Sequence, residues 1–344
     1  MMRFDRITLG RQAKELGFVR DTFEKVCRLA DVLSFMESDG LLADSLALKG
    51  GTAINLTIFD LPRLSVDIDL DFSKDVSREP MLAEREQINE HIQKYMAASG
   101  YTLSLKSKQY HALDSFVYEY VNAGGMKDNL KIEINYMLRC HTLPVSRRPV
   151  YLPWNDQELT VLSVDPLEIF SAKTVALLNR AAPRDLYDMF NMQKYGLFDE
   201  TQEPLFRKCI MFYAAIASET VPEHFDLDGI GNISARKIRT DLTPVLRRGE
   251  RFDLASAQKQ VKDYLAAILK PEDTELSFWQ AFAEGNYQPG LCLTMLIFSR
   301  VLNITRWRYG NAAGGCQSKK IHRRYNEYIL RAVLPGSSFI LTRG

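Results

Sequence analysis

Residues 46–72 read LALKGGTAINLTIFDLPRLSVDIDLDF, and the second half alternates strictly. Leu64, Val66, Ile68, Leu70 and Phe72 fall on one face; Ser65, Asp67, Asp69 and Asp71 fall on the other. A period of two predicts a strand with one buried face. Three carboxylates stacked at every second residue repel one another and drive at least one to keep its proton. A divalent cation, which prefers hard oxygen ligands, relieves that repulsion. Upstream, Lys49, Gly50, Gly51 and Thr52 form a flexible turn, and Thr52 is expected to cap a helix over 53–59. A glycine-rich turn feeding a helix N-terminus is a seat for phosphate. Phosphate seat followed by metal strand reads as nucleoside triphosphate with Mg²⁺.

Working outward, the spacing predicts a packing helix or pair of helices over 10–39 that stops at Gly40, and a short buried strand over 46–49. A helix over 79–99 ends at Gly100. Strand-like segments follow at 101–108, 116–121 and 130–138. In the last, Ile132, Ile134 and Tyr136 form one face and Lys131, Glu133 and Asn135 the other. Residues 142–164 carry three prolines and read as a linker with one strand over 159–164. At Asp165-Pro166-Leu167-Glu168 an N-cap, a proline at N1 and a glutamate at N3 announce a helix to about residue 181. Further helices are expected over 184–195, 205–217, 234–239 and 253–269. The fold class is therefore α/β (α+β): a mixed or antiparallel sheet backed by helices over 1–162, then an all-helical part over 163–290.

Composition excludes several classes. The chain has 344 residues, 46% hydrophobic and 25% charged, with a net charge of +1, so any nucleic-acid surface must be local. Five scattered cysteines form no C-x-x-C pair and suit a reducing cytoplasm. No apolar stretch is long enough to span a bilayer. The five histidines share no ligand spacing.

Gly50-Gly51-Thr52 followed by Arg63-x-Ser65-x-Asp67-x-Asp69-Leu70 resembles the signature of the DNA polymerase β-like nucleotidyltransferases. More narrowly it is similar to the AbiEii/AbiGii family of nucleotidyltransferase toxins, over roughly residues 40–290. The resemblance implies a polymerase β-like domain closed by a helical domain. It implies two Mg²⁺ ions held by three carboxylates: Asp67, Asp69 and a third from a neighbouring strand, for which Glu133 fits. Later in the chain, E-x-x-x-x-K ending at Lys173 and R-D-x-Y-D over 184–188 resemble the family's later motifs. They imply that Lys173 contacts the triphosphate and that Asp185 belongs to the active site. Asp188 is expected to pair with Arg180 or Arg184. Lys49, Gly50, Gly51, Thr52, Arg63, Ser65 and Lys173 are the expected nucleotide-binding set. Arg63 either balances the carboxylates or binds phosphate, and Asp71 is solvated or supports the metal ligands.

The implied function is transfer of a nucleotide from NTP to an acceptor, foremost the 3′ end of tRNA, by a monomeric toxin partnered by a cognate antitoxin. Transfer to a protein or small molecule, or NTP binding without catalysis, are the alternatives. Residues 278–290, FWQAFAEGNYQPG, match the family's C-terminal signature, and the resemblance stops there. Suitable codons for 304–311, ITRWRYGN, spell His-Pro-Met-Ala-Leu-Trp-Lys when read from the third base, which is similar to the family's usual ending. Residues 291–344 are therefore expected to be a frameshifted tail, the alternative being a diverged one.

Overall fold

The computed structural model describes residues 5–137, 141–156, 158–217, 225–284, 286 and 288–291. The tail expected to be frameshifted lies, apart from Leu291, outside the described residues. The N-terminal helical stretch is two helices, α1 (Arg6–Leu16) and α2 (Arg20–Ser38), because Gly17 adopts a left-handed conformation (φ 81°) between them. Gly40 does not stop the chain there. Asp39 ends α2 and its carboxylate caps a further short helix, α3 (Gly40–Ser45), by accepting from the Leu41 and Leu42 amides.

The strand β1 (Leu46–Lys49) follows, then α4 (Gly50–Ala53), which widens into a π-helical turn over Ile54–Ile58. Thr52 lies inside this helix rather than at its cap. Its hydroxyl donates to the Asp67 carbonyl, tying the turn to the acidic strand β2 (Asp67–Phe72). Helix α5 (Arg78–Ala98) leads to β3 (Thr102–Leu103), β4 (Lys108–Gln109), β5 (Leu113–Val121) and β6 (Lys127–Asn135). The proline-bearing linker holds two strands, not one: β7 (Ser146–Pro149) and β8 (Thr160–Ser163).

The strand order is β3-β5-β6-β2-β1-β8-β7, with β4 also on β5. Pairs β2–β6 and β1–β8 are parallel and the rest antiparallel, so the sheet is mixed. Ile68, Leu70 and Phe72 are fully buried, as the alternation requires. Asp69 and Asp71 on the other face are buried too. Alternation identifies which residues share a face, but a second layer of structure decides whether that face meets water.

After β8 every described element is helical: α6 (Pro166–Arg180), α7 (Pro183–Lys194), α8 (Glu203–Ala217), the short α9 (Asp228–Gly231) and α10 (Ala235–Lys237), α11 (Leu254–Ile268) and α12 (Asp273–Ala283). Asp165 caps α6 through the Leu167 amide as expected. Glu168 does not close a capping box. Its buried carboxylate instead accepts from Thr142, the Leu143 amide and Tyr213, and pairs with His141 at 3.1 Å. One hydrophobic core runs from α1 to α12, so the helical layer packs directly on the sheet.

Candidate active site

The β2–β6 register sets Asp69 opposite Glu133, and the β1–β2 register sets Lys49 opposite Asp69. Three carboxylates, Asp67, Asp69 and Glu133, thus share one face of two adjacent parallel strands. Asp69 is buried, and its Oδ1 has no hydrogen-bond partner among the described residues. Burial first, then the charges of Glu133 and Asp67, push the Asp69 carboxyl up to about 7. Burial also raises Asp67, against the pull of Lys131 and Arg184.

Glu133 is ion-paired with Lys131 at 2.9 Å, two residues back on the same strand face. No three acidic, histidine or cysteine side chains stand close enough to hold a metal ion among the described residues. The donor chemistry nevertheless fits a hard cation: Asp67 and Asp69 present carboxylate oxygens, and one buried Asp69 oxygen is unsatisfied. Glu133 would join them by exchanging Lys131 for metal.

Gly50 packs against this carboxylate so tightly that a Cβ there would stand 2.5 Å from Asp69 Oδ2, and its φ is +68°. A Cβ on Gly51 would stand 2.8 Å from Ser65 Oγ and 3.0 Å from Arg63 Nη2. Both glycines let the backbone approach the acidic strand where any side chain would displace it. Asp71 is not solvated: it is buried, and Lys49 Nζ at 2.6 Å and Asn135 Nδ2 at 2.8 Å both donate to it.

Lys173, from the middle of α6, is buried between two aspartates of α7, 2.9 Å from Asp185 and 3.2 Å from Asp188. Burial alone raises a carboxyl, but Lys173 and Arg180 outweigh it and hold Asp185 well below the usual range. The expected pairing of Asp188 with Arg180 or Arg184 is corrected. Arg180 bonds Asp185 (2.7 and 3.0 Å), whereas Asp188 receives two bonds from the buried Arg63 (2.8 and 2.6 Å). Arg63, expected beside the carboxylates or a phosphate, is spent on Asp188 and on the Leu64 carbonyl. Lys49, Gly50, Asp71, Lys173, Arg180 and Tyr213 line an open cleft of about 460 Å³ between β1–β2 and the helical layer.

Three residues of this neighbourhood were given no site role from the sequence: Lys131, Asn135 and Arg180. The first two share the polar face of β6 with Glu133, so the same alternation carried their signal. Arg180 was expected to pair with Asp188, and only helix docking gave it Asp185 instead.

A mixed sheet with a carboxylate pair on a central strand, entered through a Gly-Gly turn and covered by helices, defines a nucleotidyltransferase. Residues 34–284 match the family described as "Nucleotidyl transferase AbiEii toxin, Type IV TA system". The chain belongs to that family of nucleotidyltransferase toxins. Among solved structures it resembles MenT4, a nucleotidyltransferase toxin from Mycobacterium tuberculosis H37Rv, with TM-score 0.59 and 16% identity. That match covers 89% of this chain and 99% of the other, a likeness of fold. No curated protein matches the sequence. No helix among the described residues is long and apolar enough to cross a membrane.

Proposed function

We propose that this toxin transfers a nucleoside monophosphate from an NTP to the 3′ hydroxyl of tRNA, in the cytoplasm, as a monomer restrained by a cognate antitoxin. The acceptor oxygen forms a bond to the α-phosphorus, the bond from that phosphorus to the bridging oxygen breaks, and pyrophosphate leaves with the electron pair. The hydroxyl proton passes to a carboxylate or to solvent. The observation that carries the reading is the buried, unsatisfied Asp69 Oδ1 beside Asp67 and in register with Glu133. Asp67 and Asp69, with Glu133 as a third ligand, would hold Mg²⁺, which supplies Lewis-acid stabilisation of charge on the transferring phosphoryl group.

This chain's own groups do the rest. The Gly50–Gly51 turn brings main chain against Asp69 and Ser65, so its backbone would meet the triphosphate beside the carboxylates. Lys173 contributes positive charge at the cleft wall, and Asp185 and Asp188 fix its position. Helices α6 and α7 form the part that closes over the nucleotide. Incubating purified protein with each α-labelled NTP and total tRNA tests the reading. Label should reach tRNA with wild type and vanish with Asp69→Asn. Label on tRNA undiminished in that variant overturns the site, and label confined to protein overturns the acceptor.

A further inference from the structure

Between residues 235 and 251 the chain carries six cations (Arg236, Lys237, Arg239, Arg247, Arg248 and Arg251) against two anions, Asp241 and Glu250. The whole protein has a net charge of only +1. All but Arg247 are exposed, and none of those five forms an ion pair with a described residue. The two anions accept from neutral hydroxyls, Asp241 Oδ1 from Thr240 and Glu250 from Tyr187 at 2.6 Å, so six cations against two anions leave the segment a net +4. A net-positive run of exposed cations repels itself, so it stores attraction for a polyanion.

The segment is fastened in place. Arg247 donates to the Leu16 and Leu61 carbonyls at 3.0 and 3.1 Å and stacks over Phe18, while the Arg248 amide bonds the Gly17 carbonyl. It is also fastened to the active site. The Leu64 amide donates to the Val245 carbonyl at 2.8 Å, and Leu246 bridges to Arg63, so the ridge borders the chain that enters β2 three residues before Asp67. Arg184, next to Asp185 on α7, is tied to the segment: its Nε donates to the Asp241 carbonyl at 2.8 Å.

We infer that the exposed cations of this ridge bind the sugar–phosphate backbone of an RNA acceptor and lead its end toward Asp67. Five cations spread over sixteen residues exceed what a single triphosphate can engage, whereas a nucleic-acid strand presents phosphates in series. Four of the five are arginines, whose planar forks suit phosphate oxygens. The inference rests on the proposed transfer to RNA and names the surface that would hold it.

The test compares full-length protein with R236Q/K237Q/R239Q/R248Q/R251Q, and with R236Q/K237Q/R239Q should the fivefold variant misfold. Affinity for a tRNA pool is measured across a KCl series, and Mg·NTP affinity is measured separately. The fivefold variant should bind tRNA at least about 100-fold more weakly at low salt, with a log K against log[salt] slope shallower by about 0.7–0.9 per neutralised phosphate contact. Mg·NTP affinity should not change. Wild-type tRNA affinity and slope in the variant would overturn the surface while leaving the nucleotidyl-transfer reading intact. Parallel loss of Mg·NTP affinity would overturn it by assigning the cations to the triphosphate. Unchanged tRNA binding with lost binding to polyglutamate would overturn it in favour of an acidic protein partner. Absence of tRNA labelling by a wild type that binds tRNA through the ridge would count against the acceptor alone.

Discussion

Arg63 and Asp188, 125 residues apart, form a doubly hydrogen-bonded ion pair that is almost wholly buried. Arg63 leads into the acidic strand and Asp188 lies on α7, so the pair bolts the helical layer onto the sheet beside the carboxylates of β2. Burial works against the guanidinium's charge, but Asp188 outweighs it and raises Arg63 above its ordinary value.

Removing both partners should therefore cost less than the sum of removing each. Asp188→Asn leaves a buried guanidinium without its counter-charge and should destabilise by about 3–5 kcal/mol in urea unfolding. The double variant Arg63→Met/Asp188→Leu should lose less than the two single variants combined. Additive losses would mean that the pair is not coupled.

Lys173 is a structural cation as well as a candidate catalytic one. Lys173→Met should lower transfer by about 10²-fold, the scale of one lost transition-state donor. It should also destabilise by about 1–3 kcal/mol, because Asp185 keeps Arg180 but loses a buried hydrogen bond. Single-turnover kinetics and urea unfolding on the same preparation separate the two effects. Loss of stability with unchanged transfer would leave Lys173 purely structural.

Gly50→Ala should keep the fold and lose activity. Its φ of +68° costs an alanine about 1–2 kcal/mol, and the new methyl would displace Asp69 Oδ2 from 2.5 Å. A misplacement of that size at a reacting centre is worth about 10²-fold in rate. Near-normal transfer in a folded Gly50→Ala protein would remove the need for close approach at this turn.

The His141–Glu168 pair predicts a pH dependence of stability. Burial lowers an imidazole, but Glu168 outweighs it, so His141 is raised in the folded chain; Asp71 adds to the rise and Lys49 opposes it. A raised histidine contributes stability in full below its unfolded value of about 6.5, and loses it as pH rises through the folded value. Glu168 behaves oppositely. Burial raises it, His141 and Tyr213 more than offset that, and its contribution is lost only as pH falls through a depressed value. The unfolding temperature should fall from pH 6 to pH 9, and His141→Gln should flatten that fall. Equal slopes in the two proteins would exclude the pair as the cause.

Much of the architecture was legible because it is written in short-range spacing. Residues 46–49 and 67–72 read as strands from burial and alternation, and Asp165-Pro166 read as a helix start from capping chemistry. The same periodicity put Glu133 on the polar face of its strand. Where local rules failed, two states were locally near-equal: a further helix began at Gly40, capped by Asp39, and Thr52 preferred a strand carbonyl to a cap. Glu168 was drawn out of its capping box by a buried imidazole, an amide and two hydroxyls that together offer it more than one N-terminal amide.

The sequence by itself determined the order of the main strands and helices, though not α3 or β7, the acidic face of β2, the Gly-Gly turn and the motifs that place the chain in its family. Only the tertiary structure decided who pairs with whom. It set Asp69 opposite Glu133, gave Lys131 to Glu133, Arg180 to Asp185 and Arg63 to Asp188, and bonded Val245 and Leu246 to the chain that enters β2. The reason is physical: periodicity fixes the face on which a side chain sits, over a few residues. The partner it meets there depends on strand register and helix docking, which are set by burial summed over the whole core.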